Sequence, residues 1–336
     1  MSSVAIIGAG LAGVAAAREL QSAGLSVTVF DRGRRLGGRC NTRDGEFQFD
    51  HGAQFFSVAD PRFSTCVKEL AHQGSVGLWD GDFVEIGSDC ITPLKHVDRY
   101  VGIPSMKAVV ESLAADIVVN SSNHVTHAEP SACGWHLTNS DDCDLGEYEA
   151  LVLAMPAEQA RPLVPSESSL TPMLAKIHSE PCWALMLGFD NPLPIPYNGI
   201  TFRRDDIVWA ARDSSKPGRS EGERWVVHGA GRWSRDRFRS ESNVVALDLY
   251  SAFLQAMEID PPPPQFMSAH RWGLAFPGVD SLGCVAWDDE LRVGVCGDWS
   301  VSPRLEGAYI SGVECAQMVL DAIGKGACTE VRELSA

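Results

Sequence analysis

The tightest constraint on this chain lies between Val4 and Asp31. An apolar run, Val4 to Ile7, leads into the turn Gly8-Ala9-Gly10-Leu11-Ala12-Gly13. A helical pattern follows to about Ala23, and a second apolar run from Ser26 to Phe30 ends in Asp31. This is the layout of a β-α-β unit whose glycine spacing suits a dinucleotide. Gly8 allows a tight turn, Gly10 lets a pyrophosphate approach the backbone, and Gly13 lets the helix lie close to the strand. The helix N-terminus adds free N–H groups and about half a positive charge. Asp31 stands 23 positions after Gly8, where a carboxylate meets adenosine ribose hydroxyls. The bland alternative is a β-α-β unit with glycines for packing alone; the acid at that spacing favours the dinucleotide.

Composition narrows the partners. With 336 residues, 45% hydrophobic, the chain can bury one large core or two moderate ones. A net charge of −16 argues against nucleic acid and against an anionic membrane surface. No apolar run approaches the ~18 residues of a membrane helix, and with the first strand starting at Val4 no signal peptide is expected. Ten cysteines are scattered singly, without CxxC or zinc spacing. They read as reduced thiols of a cytoplasmic protein without a metal site. A monomer or weak homodimer is expected.

After Asp31 comes Arg32-Gly33-Arg34-Arg35-Leu36-Gly37-Gly38-Arg39. A Gly-Gly-Arg loop here suits a cofactor longer than NAD, with Arg32 beside it and Arg39 forking onto phosphate, a solvated turn charge being the alternative for Arg39. Together with the glycine turn, this resembles the FAD-binding start of flavin amine oxidases and protoporphyrinogen oxidases. That resemblance implies a Rossmann-type FAD-binding domain joined to a mixed-sheet α+β substrate domain, an α/β fold overall. The FAD-binding domain is expected over 1–58, 100–160 and 286–328. The substrate domain is expected over 59–99 and 161–285.

In that superfamily a stretch like Asp50-His51-Gly52-Ala53-Gln54-Phe55-Phe56 carries the backbone past the flavin ring. Gly52 and Ala53 suit close approach, and Gln54 or Phe55 can face the reactive side; an ordinary turn with core phenylalanines is the alternative. Helical patterns cover Arg62 to Gln73, Ser105 to Leu113 and Val244 to Met257. Strands are expected at Asp116–Asn120, Val125–Ala128, Trp135–Thr138, Tyr148–Ala154, Trp183–Phe189, Ile207–Ala211, Trp225–Ala230 and Leu291–Cys296. Val125 is expected beside the adenine, and Ala154 at the flavin domain's return crossing. Gly297-Asp298 is expected on the ribityl and phosphate, with Glu306-Gly307-Ala308 opening a helix aimed at the flavin's N1 edge.

Between Arg203 and Arg239 ten basic residues face six acids, a local reversal that suits an anionic ligand. Arg212, Lys216 and Arg219 are the expected phosphate contacts, with solvated loop charges as the alternative. The set Asp50 to Phe56, Ser215 to Arg219, Ala269-His270-Arg271-Trp272, Cys296 to Trp299 and Arg304 to Ala308 resembles the bacterial renalase group. That resemblance implies noncovalent FAD and oxidation of 1,2- or 1,6-dihydro isomers of NAD(P)H, with O2 as acceptor and hydrogen peroxide as product. His228, first choice, and His270 are the candidates for holding the carboxamide, with a purely structural role as the alternative for each; Trp183, Trp209 or Trp272 is expected to wall the ring, and Arg304 to lie beside it. His51 is expected to support the flavin loop. Two rivals stand beside this reading, an oxidase of amines or other small metabolites and a non-oxidative flavoprotein. The expected strand at Trp183 lacks the lysine that many amine oxidases carry there.

Overall fold

The computed structural model describes residues 2–88, 90–278 and 285–333, with side chains as far as 324. Cys284 and the Cys328 side chain lie outside the described residues; the other eight cysteines are free thiols.

The glycine turn joins Ser3–Ile7 to the helix Leu11–Ser22, and Ser26–Phe30 returns parallel to the first strand. These strands form the middle of a six-stranded sheet. Its order is Ala286–Asp288, Val293–Val295, Ala150–Leu153, Ser3–Ile7, Ser26–Phe30 and Val119–Asn120. All neighbours are parallel except the antiparallel edge pair Ala286–Asp288 and Val293–Val295. A parallel sheet covered on both faces needs uninterrupted apolar strands. Val4, Ala5, Ile6, Leu151, Val152 and Leu153 accordingly have no exposed surface. The helix Leu305–Glu333 packs with Leu11–Ser22 through the small side chains Ala12, Ala16, Cys315 and Ala316. An antiparallel excursion, Val125–Ser131, Gly134–Asn139 and Asp144–Tyr148, stands beside this layer. The expected single strand Tyr148–Ala154 divides at Glu149, one part going to each sheet.

A second, seven-stranded mixed sheet has the order Phe266–Pro277, Ser179–Phe189, Glu223–Gly229, Ile207–Arg212, Gly199–Phe202, Phe83–Ile86 and Ile91–Pro93. The last two strands arise from sequence that carries no clear alternation. Parity decides what each face meets, because side chains alternate along a strand and directly opposed residues share a face. Trp183, Leu185, Leu187, Trp225 and Val227 form the back face, under Val245, Leu249 and Phe253 of the helix Ser242–Met257. Met186 and Val226 lie on the front, against Phe49. The segment entering Asp50–Phe56 thus covers the front of this sheet. Burying a large apolar side chain contributes about 1.5–3 kcal/mol, so both faces are firmly held.

Candidate active site

The glycine turn requires its glycines. Gly8 has φ +113°, and a Cβ there would lie 2.3 Å from the Ala154 carbonyl oxygen. A Cβ on Gly13 would lie 1.9 Å from the carbonyl oxygen of Gly8. Gly10 differs: nothing stands within 4 Å of its Cβ position, and it begins the helix without a side-chain cap. The unfilled space and uncapped N–H groups of Leu11 and Ala12 match a phosphate cradle. Asp31 borders it, accepting from the N–H groups of Ala9 (2.7 Å) and Gly33 (2.6 Å). Asn123 donates to the Asp31 carbonyl two residues before buried Val125, which places that strand beside the cradle. Arg32 is exposed and reaches the side-chain amide of Gln159.

The N- and C-terminal motifs meet in space. Arg39 forks onto Asp298 at 2.8 and 2.6 Å and also donates to the Ala275 carbonyl at 3.0 Å. Its guanidinium is therefore held by a carboxylate and not free for a phosphate, a correction to the expected role. Gly52 passes so close that a Cβ would lie 2.0 Å from the Arg39 carbonyl oxygen, and Ala53 N–H donates to that oxygen. Gly297 N–H donates to Ser311 Oγ at 3.0 Å. At the head of the last helix, Glu306 accepts from the N–H groups of Ala59 and Asp60 at 2.6 and 2.7 Å. One oxygen of its carboxylate pins the 59–60 loop. Gly307 packs on Ser302, Ala308 N–H donates to the Arg304 carbonyl, and the Arg304 side chain is exposed.

Beneath Asp50–Phe56 lies a buried cluster of four charges. Lys216 Nζ contacts Asp213 at 2.6 Å, Asp50 at 3.3 Å and the Gln54 amide oxygen at 3.2 Å. Arg219 contacts Asp50 at 2.5 Å and donates to the Gly102 carbonyl. Asp50 also accepts from Thr42 and from Met106 N–H. Burial alone would raise the Asp50 carboxyl, but Lys216 and Arg219 outweigh it and hold it below the usual carboxylate range. Burial raises Asp213 beyond what Lys216 offsets, and the Asp50 charge adds to that rise. Lys216 and Arg219 thus sit inside the protein as partners of Asp50 and Asp213 and cannot reach a substrate phosphate. Arg212 fails the same expectation, being paired with Glu223 (3.3 Å) and donating to the carbonyls of Leu193 and Ile195. Gln54 is turned into the cluster, bonding to Lys216 and to the carbonyls of Asp50 and Gly52, so it does not face a reacting centre.

The front of the seven-stranded sheet carries an uncharged row. Trp209 is opposite His228, His228 opposite Ala184, and Ala184 opposite His270. Trp272 follows two residues after His270, donates to the His51 carbonyl at 2.9 Å and stacks near His51 and His270. His51 meets His270 edge-on, with ring centres 4.7 Å apart. Burial pulls both His228 and His51 down to about 4, and also lowers His270, so all three rings are neutral near pH 7. His228 is bonded to the His51 backbone, leaving its Nε2 without a partner. The indole N–H of Trp209 is also buried and unpartnered. Phe55 continues the wall, 5.5 Å from Trp209 and 6.2 Å from Trp79 between ring centres.

Trp183 does not belong to this row. It has the opposite parity, packs in the back-face core and donates to the Arg237 carbonyl at 3.2 Å. Asp213 and Arg99 escaped the sequence reading. A lysine three residues after Asp213 is a short-range hint of the first; Arg99 carries no local signal. Among the described residues no group of three His, Cys, Asp or Glu is placed to hold a metal, and no helix is long and apolar enough to cross a membrane.

A family model for an NAD(P)-binding Rossmann-like domain matches residues 6–72. The chain superposes on a solved structure described as a "Putative protoporphyrinogen oxidase" from Exiguobacterium sp. 255-15. The TM-score is 0.79 at 11% identity, covering 95% of this chain and 99% of that one. It also superposes on cyclohexylamine oxidase from Brevibacterium oxydans, with TM-score 0.74 at 15% identity, covering 96% and 99%. The chain has the fold of the amine and protoporphyrinogen oxidases. In sequence, it is 25% identical over 298 residues to "Putative flavin-containing monoamine oxidase AofH" of Mycobacterium tuberculosis, covering 80% of this chain and 62% of that protein. It is 38% identical over 68 residues to a protoporphyrinogen oxidase of Arabidopsis thaliana, covering 20% of this chain and 13% of that protein. The chain therefore spans less than two thirds of the length of both curated relatives.

Proposed function

We propose that this chain is an FAD-dependent oxidase that takes hydride from 1,2- or 1,6-dihydro isomers of NAD(P)H and yields NAD(P)+ and hydrogen peroxide. The cofactor half of the reading rests on fit. The open space at Gly10, the uncapped helix head and the adjoining Asp31 suit the adenosine and pyrophosphate of FAD. Gly52, Ala53 and Gly297 would hold its other half, and the N-terminus of the helix Leu305–Glu333 favours negative charge nearby. FAD, when bound, supplies the hydride acceptor and passes electrons to oxygen.

One observation carries the substrate half: the unpartnered Trp209 N–H and His228 Nε2 stand side by side in a neutral aromatic row. The indole is a donor only, while the open nitrogen of a neutral imidazole whose other nitrogen donates is an acceptor. A primary carboxamide offers the complement, one carbonyl acceptor and N–H donors in one plane. A dihydropyridine aromatises on losing hydride, so the residues need only orient it and exclude water. Neutral histidines fit that task better than a proton-transferring base.

The fold kinship with amine oxidases favours a second reading, oxidation of a small amine. The strand Ser179–Phe189 carries no lysine, which counts against it. Anaerobic mixing separates the two. The yellow protein is expected to bleach fast with the dihydro isomers and slowly with pure 1,4-NADH. Equal rates with both, or bleaching by an amine panel alone, would remove the dinucleotide reading.

A further inference from the structure

We propose that Arg99 is an anion-binding residue of the substrate site, taking a phosphate or carboxylate oxygen of the ligand. Only 6% of Arg99 is exposed, yet among the described residues it has no carboxylate partner. The one hydrogen bond of its guanidinium among the described residues, to the Val97 carbonyl, is 3.2 Å long, and its buried Nε has no acceptor. Two aromatic rings take the place of a counter-ion: the guanidinium lies 3.9 Å from the Phe83 ring centre and 5.5 Å from that of Phe55. Cation–π contact compensates only part of what a guanidinium loses on leaving water. Burial accordingly pulls it below its ordinary value, with no neighbouring acid to oppose the change.

The contrast with nearby cations is sharp. Arg203, Arg204, Arg212, Lys216 and Arg219 each have an acid within 4 Å. Arg224 lacks such a pair, but it donates to two carbonyls and feels the charges of Asp213 and Glu223. The Nε atoms of Arg212, Arg219 and Arg224 are also without an acceptor, but their other nitrogens are held by acids or by two carbonyls; Arg99 alone of these has a single carbonyl and no acid. Phe55 neighbours both it and Trp209, whose free N–H stands next to His228. An oxyanion on Arg99 would therefore belong to a molecule whose other end meets the uncharged row. That the anion is the phosphate of a dinucleotide rests on the proposed function; the anion site itself does not.

Calorimetric titration of the protein as purified, with inorganic pyrophosphate, inorganic phosphate and acetate, tests the site directly. Binding is expected for the wild type, at least 10-fold weaker for Arg99→Met and partly kept by Arg99→Lys, with unchanged melting temperature and flavin content for Arg99→Lys. Tighter pyrophosphate than acetate binding assigns the site to phosphate, the reverse to carboxylate. No binding by the wild type, or equal binding by wild type and Arg99→Met, overturns the proposal. Arg99-dependent binding without turnover of dihydro isomers would retain the anion site and reject the dinucleotide reading. Turnover of the isomers with the same KM in wild type and both variants would do the opposite.

Discussion

Two polar clusters flank the segment Asp50–Phe56, and they differ in how completely they are closed. In the first, Asp50 and Asp213 are matched by Lys216 and Arg219, and each carboxylate is held by several donors. In the second, His51, His228, His270, Trp209 and Trp272 carry no charge, and polar atoms of His228, His51 and Trp209 are left open. A closed buried network fixes backbone position; an open one has lower cost only when a ligand completes it. Of the cationic residues expected to meet substrate phosphate, Lys216 and Arg219 belong to the closed cluster and Arg212 is paired with Glu223. The ligand-directed atoms belong to the neutral one.

Opening the closed cluster has the largest expected effect. Lys216→Met leaves two buried carboxylates sharing one arginine, and removing one partner of such a pair costs about 3–5 kcal/mol. Urea unfolding should show that loss together with reduced flavin retention, because Gln54 and the 50–54 backbone lose their anchor. A loss below about 1 kcal/mol would show that the cluster does not brace the segment.

Acid tests the neutral cluster. His51 and His228 ionise at about 4 in the folded protein, against 6.5 ordinarily. Between pH 6.5 and 4 the unfolded chain takes up protons that the folded chain refuses. Their contribution is complete above pH 6.5, falls as pH drops through that window and levels off below 4, by on the order of 3 kcal/mol per histidine. Urea midpoints across this range check the slope, and His51→Gln with His228→Gln should flatten it.

The smallest effect is the most specific. Trp209→Phe keeps the ring and removes the unpartnered N–H, so stability should change by less than about 1 kcal/mol while KM for a dihydro isomer rises about tenfold. Trp183→Phe, on the back of the same sheet, should leave KM unchanged. Steady-state kinetics of the two variants side by side would expose any error in which face is which.

The glycine turn was legible because its requirements are local. Spacing alone sets the strand, the tight approach at Gly8 and Gly13, and the position of Asp31. The doubly covered sheet was legible too, since parallel strands leave long apolar runs. The basic window misled because a net count does not say which charges pair: Arg212 meets Glu223 and Lys216 meets Asp213 inside it, while Lys216 and Arg219 also reach Asp50, 166 and 169 positions away. Arg39 misled similarly, its fork being filled by Asp298, 259 positions distant. Trp183 and Trp209 look alike as aromatic strand residues, and only pairing register tells which one shares a face with His228.

What the sequence determined by itself, then, was the dinucleotide-type turn and the α/β architecture, because short-range sterics and hydrophobic periodicity suffice for both. Which charges neutralise one another, which polar atoms remain open and where Arg99 stands were decided only when distant segments packed together. Electrostatic satisfaction belongs to the nearest neighbour in space, and chain order does not say who that neighbour is.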